Sequence, residues 1–126
     1  MARILVIDDD VEICALAKKF LILDGHEVDT AENGAVGLKM AGLNQYDLVI
    51  TDVIMPEQDG IGVVAELKKL YPHIRIIVMT GGGAKFSISD LLKLTRLMKA
   101  DRGLAKPLDF EKLLETVKEV LEMVKT

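Results

Sequence analysis

Short apolar runs alternate along this chain with longer stretches in which apolar residues recur every three or four positions. Ile4–Ile7 is an apolar run of strand length. Over residues 11–24, Ile13, Leu16, Ala17, Phe20 and Leu21 fall at helical spacing, with Gly25 placed to end the helix. A weaker strand is predicted over Glu27–Ala31, and Asn33-Gly34 leads into a helix ending near Gly42. "YDLVITD" (46–52) reads as a strand and "IGVVAELKKLY" (61–71) as a helix stopped by Pro72. "IRIIVMT" (74–80) is the next strand, followed by "GGGAKFS" as a loop. A helix from about Ser87 to Lys99 and a short strand over Gly103–Ala105 come after it. Beyond Pro107, Asp109 can cap a last helix in which Phe110, Leu113, Leu114, Val117, Val120, Leu121 and Val124 share one face.

The pattern amounts to five strand–helix units. Parallel neighbours in a sheet need a crossover, so this alternation predicts an α/β fold: a parallel sheet with helices on both faces. The near-continuous apolar character of the first, third and fourth strands suits strands buried on both sides. No repeat, low-complexity tract or linker interrupts the series, and a single domain over residues 1–126 is expected.

Polar residues then stand out by position. In open α/β sheets, ligands bind outside the carboxyl ends of the strands. Asp8, Asp9 and Asp10 end the first strand, Asp52 the third and Thr80 the fourth, and Lys106 follows the fifth. All six should gather at one edge. Asp10, directly before "VEICALAKKF", also suits a helix N-cap. Crowded carboxylates repel, but oxygen ligands of this kind suit Mg²⁺, which pairs one or two carboxylates with water and substrate phosphate.

Composition adds exclusions. The net charge of −4 argues against nucleic acid or an anionic membrane as a direct partner. No apolar run approaches the ~18 residues of a membrane-spanning helix, and the start of the chain lacks a signal-peptide pattern. The one cysteine, Cys14, reads as a small hydrophobe inside a helix and suits a reducing cytoplasm. His26 and His73 lie in connecting segments and read as surface residues.

With "DDD" at 8–10, "DVIMPEQDG" at 52–60, Thr80 and "KP" at 106–107 in this order on five strand–helix units, the chain resembles a response-regulator receiver domain over essentially its whole length. That resemblance implies a doubly wound (βα)5 fold with flavodoxin-like strand order 2-1-3-4-5. It also implies that Asp52 takes a phosphoryl group from a phosphohistidine on a sensor histidine kinase or phosphotransfer protein. Mg²⁺ would be bound by Asp9 and Asp52, with Asp8 assisting and the Ile54 backbone carbonyl as a further ligand. Thr80 and Lys106 would each hold a phosphoryl oxygen, and the Lys106–Pro107 bond is often cis in the family. Such a protein is a switch that catalyses only its own phosphorylation and dephosphorylation. It would signal to a downstream target or a separate output domain through the face built from the fourth helix, fifth strand and fifth helix. The chain ends with its fifth helix, so no output domain is expected within it, and the location expected is cytoplasmic.

Some positions depart from the family. The aromatic usual three residues before the lysine is replaced by Gly103, and the interval from Thr80 to Lys106 is longer than usual. The loop at "GGGAKFS" is therefore expected to replace that ring as the mobile reporter. Ile88, Leu91, Leu92, Leu94, Leu97 and Met98 cover more than one face of the fourth helix, which suits either a homodimer surface or burial within the domain. Ile54 and Gly82 offer no group to orient an attacking water, so a long-lived phosphoryl state is expected. Met55-Pro56 and Asp59-Gly60 should shape the loop after the third strand, with Gly60 accepting φ > 0.

Other classes fit less well. "GGGAK" lacks the Gly-Lys-Ser/Thr end of a P-loop. A flavin phosphate would be repelled by the carboxylates, and an aspartate-nucleophile phosphatase expects a second Asp where this chain has Ile54. The alternative retained is a degenerate receiver acting as a phosphorylation-independent docking module.

Overall fold

The structure, a computed structural model, describes residues 1–53, 60–81 and 87–123. Ten elements alternate along it: β1 (Arg3–Ile7), α1 (Val11–Leu23), β2 (Glu27–Ala31), α2 (Gly34–Leu43), β3 (Leu48–Asp52), α3 (Gly60–Leu70), β4 (Arg75–Thr80), α4 (Ile88–Leu97), β5 (Arg102–Ala105) and α5 (Phe110–Glu122). The strands form one parallel sheet in the order β2-β1-β3-β4-β5, as expected for this doubly wound fold. β1 lies between β2 and β3, with Ile4 opposite Val28 on one side and Leu48 on the other.

Period-two alternation divides the core between the two faces of the sheet. Ile4, Val6, Leu48, Ile50, Ile77 and Met79 pack under α1 and α5, which supply Cys14, Ala17, Leu21, Leu113, Val117 and Val120. Leu5, Ile7, Val49, Ile76 and Val78 face the other way, towards Ala41 of α2 and Val63, Val64 and Leu67 of α3. Phe20 and Phe110 stack with ring centroids 4.9 Å apart and tie α1 to α5. No helix among the described residues is long and apolar enough to cross a membrane.

Helix starts follow local polar chemistry. Asp10, Asn33 and Asp109 each accept backbone N–H bonds of the first turn, and Ser87 and Asp90 form a reciprocal capping box on α4. Gly25, at φ +94°, follows the end of α1, where only glycine adopts that conformation without strain.

Several expectations are adjusted. β3 starts at Leu48, two residues later than predicted, and Asp47 still donates its N–H to Arg3 O of β1 at 2.8 Å. The Tyr46 hydroxyl donates to Asp29 (2.7 Å), and the Arg3 N–H donates to Asp47 (2.8 Å). α4 stops at Leu97, two residues short of the predicted end, where the chain turns through Lys99 at φ 58°. Leu16 falls at helical spacing but is 42% exposed, and Cys14 takes a buried position instead. His26 is not a surface residue: its side chain is only 11% exposed, and Nδ1 accepts the Ala2 N–H at 3.1 Å. The α1–β2 turn brings the ring against the start of β1, whose lead-in N–H needs an acceptor. His73 is exposed as expected, and Val124 lies outside the described residues.

Gly37 sets the distance between α2 and the sheet. A Cβ there would overlap Ile7 Cδ1 and stand 2.8 Å from its Cγ1, and Ile7 is fully buried. Gly37→Ala is expected to destabilise the protein by about 1–3 kcal/mol in urea unfolding, and adding Ile7→Val should recover part of that loss.

Candidate functional site

Three adjacent aspartates at the end of β1 have three separate tasks. Asp8 is fully buried, and its N–H extends the β1–β2 ladder to Ala31 O at 3.1 Å. Its Oδ1 accepts the Asp10 N–H at 2.9 Å, and its Oδ2 lies 2.7 Å from Lys106 Nζ. Asp9 is exposed. Asp10 points away to cap α1, accepting from Glu12 N–H at 2.9 Å and Ile13 N–H at 3.3 Å.

Asp52, the last residue of β3, is 4% exposed and accepts a hydrogen bond from Lys106 Nζ at 2.9 Å. One ammonium thus joins carboxylates from two adjacent strands. Lys106 itself is fixed by the sheet, because its N–H donates to Thr80 O at 2.8 Å and continues the β4–β5 ladder. The Lys106–Pro107 bond is cis. Thr80 Oγ1 is fully buried at the same edge and has no hydrogen-bond partner among the described residues.

Carboxylate oxygens of Asp8, Asp9 and Asp52 lie within 4.8 Å of one another. Such an all-oxygen set, buried on two sides and open through Asp9, fits a hard divalent cation. Asp8, Asp9, Asp52, Thr80 and Lys106 are therefore brought together. Asp10 belongs to the helix cap, and Ile54, Met55-Pro56 and Gly82 lie outside the described residues, as does most of the "GGGAKFS" loop.

Electrostatics follow from this burial. Desolvation raises the pKa of Asp8 above the ordinary carboxylate value, against the pull of Lys106, and the neighbouring charge of Asp52 adds to the rise. Burial alone would lower the Lys106 pKa, but its hydrogen bonds to Asp8 and Asp52 outweigh that and raise it. Cys14, whose thiol donates to Asp8 O at 3.4 Å, is pushed up to about 11, first by burial and then by the charge of Asp8. It is an inert packing residue.

Two contributions escape the sequence. The first is that Lys106 serves both carboxylates. The second is Gly60, whose conformation is not left-handed; it is instead a residue of close approach. A Cβ there would overlap Asp52 O and lie 2.6 Å from Val53 Cα, and its N–H donates to Val53 O at 3.0 Å. The start of α3 thus rests directly on the backbone that carries Asp52. A glycine opening the helix eight residues after Asp52 is the sequence signal for this.

Comparison with known proteins agrees with this geometry. The family model described as "Response regulator receiver domain" matches residues 4–118. The transcriptional regulatory protein GlrR of Escherichia coli is 36% identical over 121 residues, covering 96% of this chain and 26% of that protein. The chain thus spans about a quarter of the length of the curated relatives it matches. Among solved structures, a CheY-like response regulator receiver domain protein from Methanospirillum hungatei has a TM-score of 0.86 at 30% identity, covering 97% of this chain and 94% of that one. The response regulator TrrA of Thermotoga maritima, in complex with Mg²⁺ and BeF, has a TM-score of 0.79 at 39% identity, covering 95% of this chain and 99% of that one.

A carboxylate whose pKa is raised by folding costs stability once it is ionised. That cost is absent below its unfolded value, near 3.8, and grows as pH rises through the raised folded value. Asp8→Asn removes it, while Lys106 keeps Asp52 as a partner. In chelator at pH 7 the variant is expected to be more stable than wild type, with the gain disappearing below the ordinary carboxylate range. Thermal unfolding at the two pH values measures this.

Proposed function

The chain belongs to the response regulator receiver domain family, and we propose that Asp52 is its phosphoacceptor, with a phosphohistidine on a sensor histidine kinase or phosphotransfer protein as donor. In the transfer, an Asp52 carboxylate oxygen forms the new bond to phosphorus as the phosphorus–nitrogen bond to histidine breaks, and the imidazole leaves with its electron pair. Phosphoryl transfer needs positioning and neutralisation of charge on the equatorial oxygens. Lys106 pairs with one of those oxygens, and the Thr80 hydroxyl donates to another. The observation that carries this reading is the ammonium held 2.7 Å from Asp8 and 2.9 Å from Asp52 beside a buried hydroxyl without a partner among the described residues. A developing phosphoryl group supplies the acceptors that this edge lacks.

Asp9 and Asp52 would hold Mg²⁺ directly and Asp8 through water, with the Ile54 carbonyl as a further ligand. When bound, the ion screens the repulsion between the nucleophile and the anionic donor. The chain's catalysis is confined to its own phosphorylation and dephosphorylation, in the cytoplasm. Its output passes through the face formed by α4, β5 and α5 to a downstream target or a separate output domain. On α4, Ile88, Leu92 and Leu97 are 75%, 59% and 81% exposed, which supports a protein partner on this helix, a second copy of the chain included.

Incubation with acetyl phosphate and Mg²⁺, followed by intact mass measurement, tests the phosphoacceptor directly. Wild type is expected to gain one phosphoryl group. Asp52→Asn should gain none, and chelation of the metal should cut the rate about 100-fold or more. Absence of any addition to wild type would replace this reading with that of a phosphorylation-independent docking module.

A further inference from the structure

Thr51 is the one residue of β3 before Asp52 that carries a polar side chain. It stands opposite Ile7 of β1 and Val78 of β4 and is fully buried, as are Leu48, Val49 and Ile50. A strand covered on both faces is expected to be apolar, and Val would fill the same space with no hydroxyl to take out of water. The Thr51 hydroxyl is bonded instead: it donates to Asp52 O at 3.0 Å. Thr80, at the end of the adjacent strand, has a buried hydroxyl without a partner among the described residues. One hydroxyl at this edge is thus engaged by the backbone, and the other is open to a ligand.

The carbonyl that Thr51 holds belongs to the peptide unit directly after Asp52, and both polar atoms of that unit are bonded. Its N–H, that of Val53, donates to Met79 O of β4 at 2.9 Å. Its carbonyl accepts from Thr51. On the β1 side the ladder ends with Thr51 opposite Ile7, so Asp52 lies one residue past it. Gly60 closes in on the same carbonyl. A Cβ there would overlap Asp52 O, and the Gly60 N–H donates to Val53 O at 3.0 Å.

The direction of this carbonyl is set by ψ of Asp52, and the rotamers open to a side chain depend on its backbone angles. Asp52 is 4% exposed, and its carboxylate has two demands to meet at once. It accepts from Lys106 Nζ at 2.9 Å, and it keeps an oxygen within 4.8 Å of those of Asp8 and Asp9. A carboxylate with so little room keeps that aim only while the backbone beneath it is fixed.

We propose that Thr51 is a positioning residue for Asp52. Its hydroxyl fixes the Asp52–Val53 peptide and so holds the carboxylate in the arrangement that a metal ion and a phosphoryl group require. The inference deepens the reading of Asp52 as a Mg²⁺-binding phosphoacceptor and rests on it. Thr51 acts from beneath the site, through the backbone.

Three measurements on the full chain test this together: Mg²⁺ titration followed by amide NMR shifts, the rate of phosphoryl uptake from acetyl phosphate by intact mass, and urea unfolding. Thr51→Val keeps the shape of the side chain and removes the donor, whereas Thr51→Ser keeps the donor and removes a methyl group. Thr51→Val is expected to bind Mg²⁺ about tenfold more weakly, and at one fixed Mg²⁺ concentration to take up phosphoryl about tenfold more slowly. Thr51→Ser should unfold at lower urea than Thr51→Val yet stay close to wild type in both site readouts. A packing role alone predicts the reverse order, with the site following the stability. Mg²⁺ binding by Thr51→Val close to that of wild type overturns the inference, and so does impaired Mg²⁺ binding by Thr51→Ser. No phosphoryl uptake by wild type overturns the phosphoacceptor reading, and the Mg²⁺ titration still decides the role of Thr51.

Discussion

One ammonium group makes the site compatible with a folded core. Asp8 and Asp52 close adjacent strands of a parallel sheet, both almost wholly out of water, and Lys106 stands within 2.9 Å of each. Unit charges ~4 Å apart interact by about 4 kcal/mol at an effective dielectric near 20. The arrangement sets one such repulsion between carboxylates against two attractions to Lys106. The remainder is spent against desolvation, which is why the pKa of Asp8 stays raised despite its short ion pair. Charge is thus held at this edge under tension, and a cation or an anionic ligand can alter the pairing without disturbing the apolar layers beneath.

The fold delivers these groups by ordinary means. β1 and β3 are neighbours because the first strand–helix unit winds one way from β1 and the rest wind the other, and their carboxyl ends meet where the direction changes. Lys106 comes to them from the far edge, two strands beyond β3, and reaches back because its N–H is locked to Thr80 O. Close approaches at Gly37 and Gly60 bring α2 and α3 down onto the strands that carry Asp8 and Asp52. Small residues are needed there because the helices leave no room for a side chain.

Much of this was legible in the sequence because the signals were local and repeated. Apolar runs marked the strands, cap residues marked the helix starts, and strand ends placed Asp8, Asp9, Asp52, Thr80 and Lys106 at one edge without reference to any distance. Contacts between elements were not legible. Nothing in the spacing of His26 shows that its ring accepts the Ala2 N–H, and nothing in "YDLVITD" shows that Tyr46 and Asp47 bond to Asp29 and Arg3. Gly60 looked like a turn residue because sequence reports what glycine permits, whereas its use here is set by the atoms of another segment.

Gly103 carries the same distinction into function. Read as a letter, it is a missing ring, and the expectation was that the loop after β4 would take over the ring's task. Read in place, it is an occupied notch, filled by Thr95 from a different element. A glycine under a helix removes the degree of freedom that a side chain between strand and helix would have offered. Gly103, packed against Thr95, and Lys106, at the polar site, stand three residues apart on and just beyond this strand. The backbone between them is paired to β4 from Arg102 to Ala105.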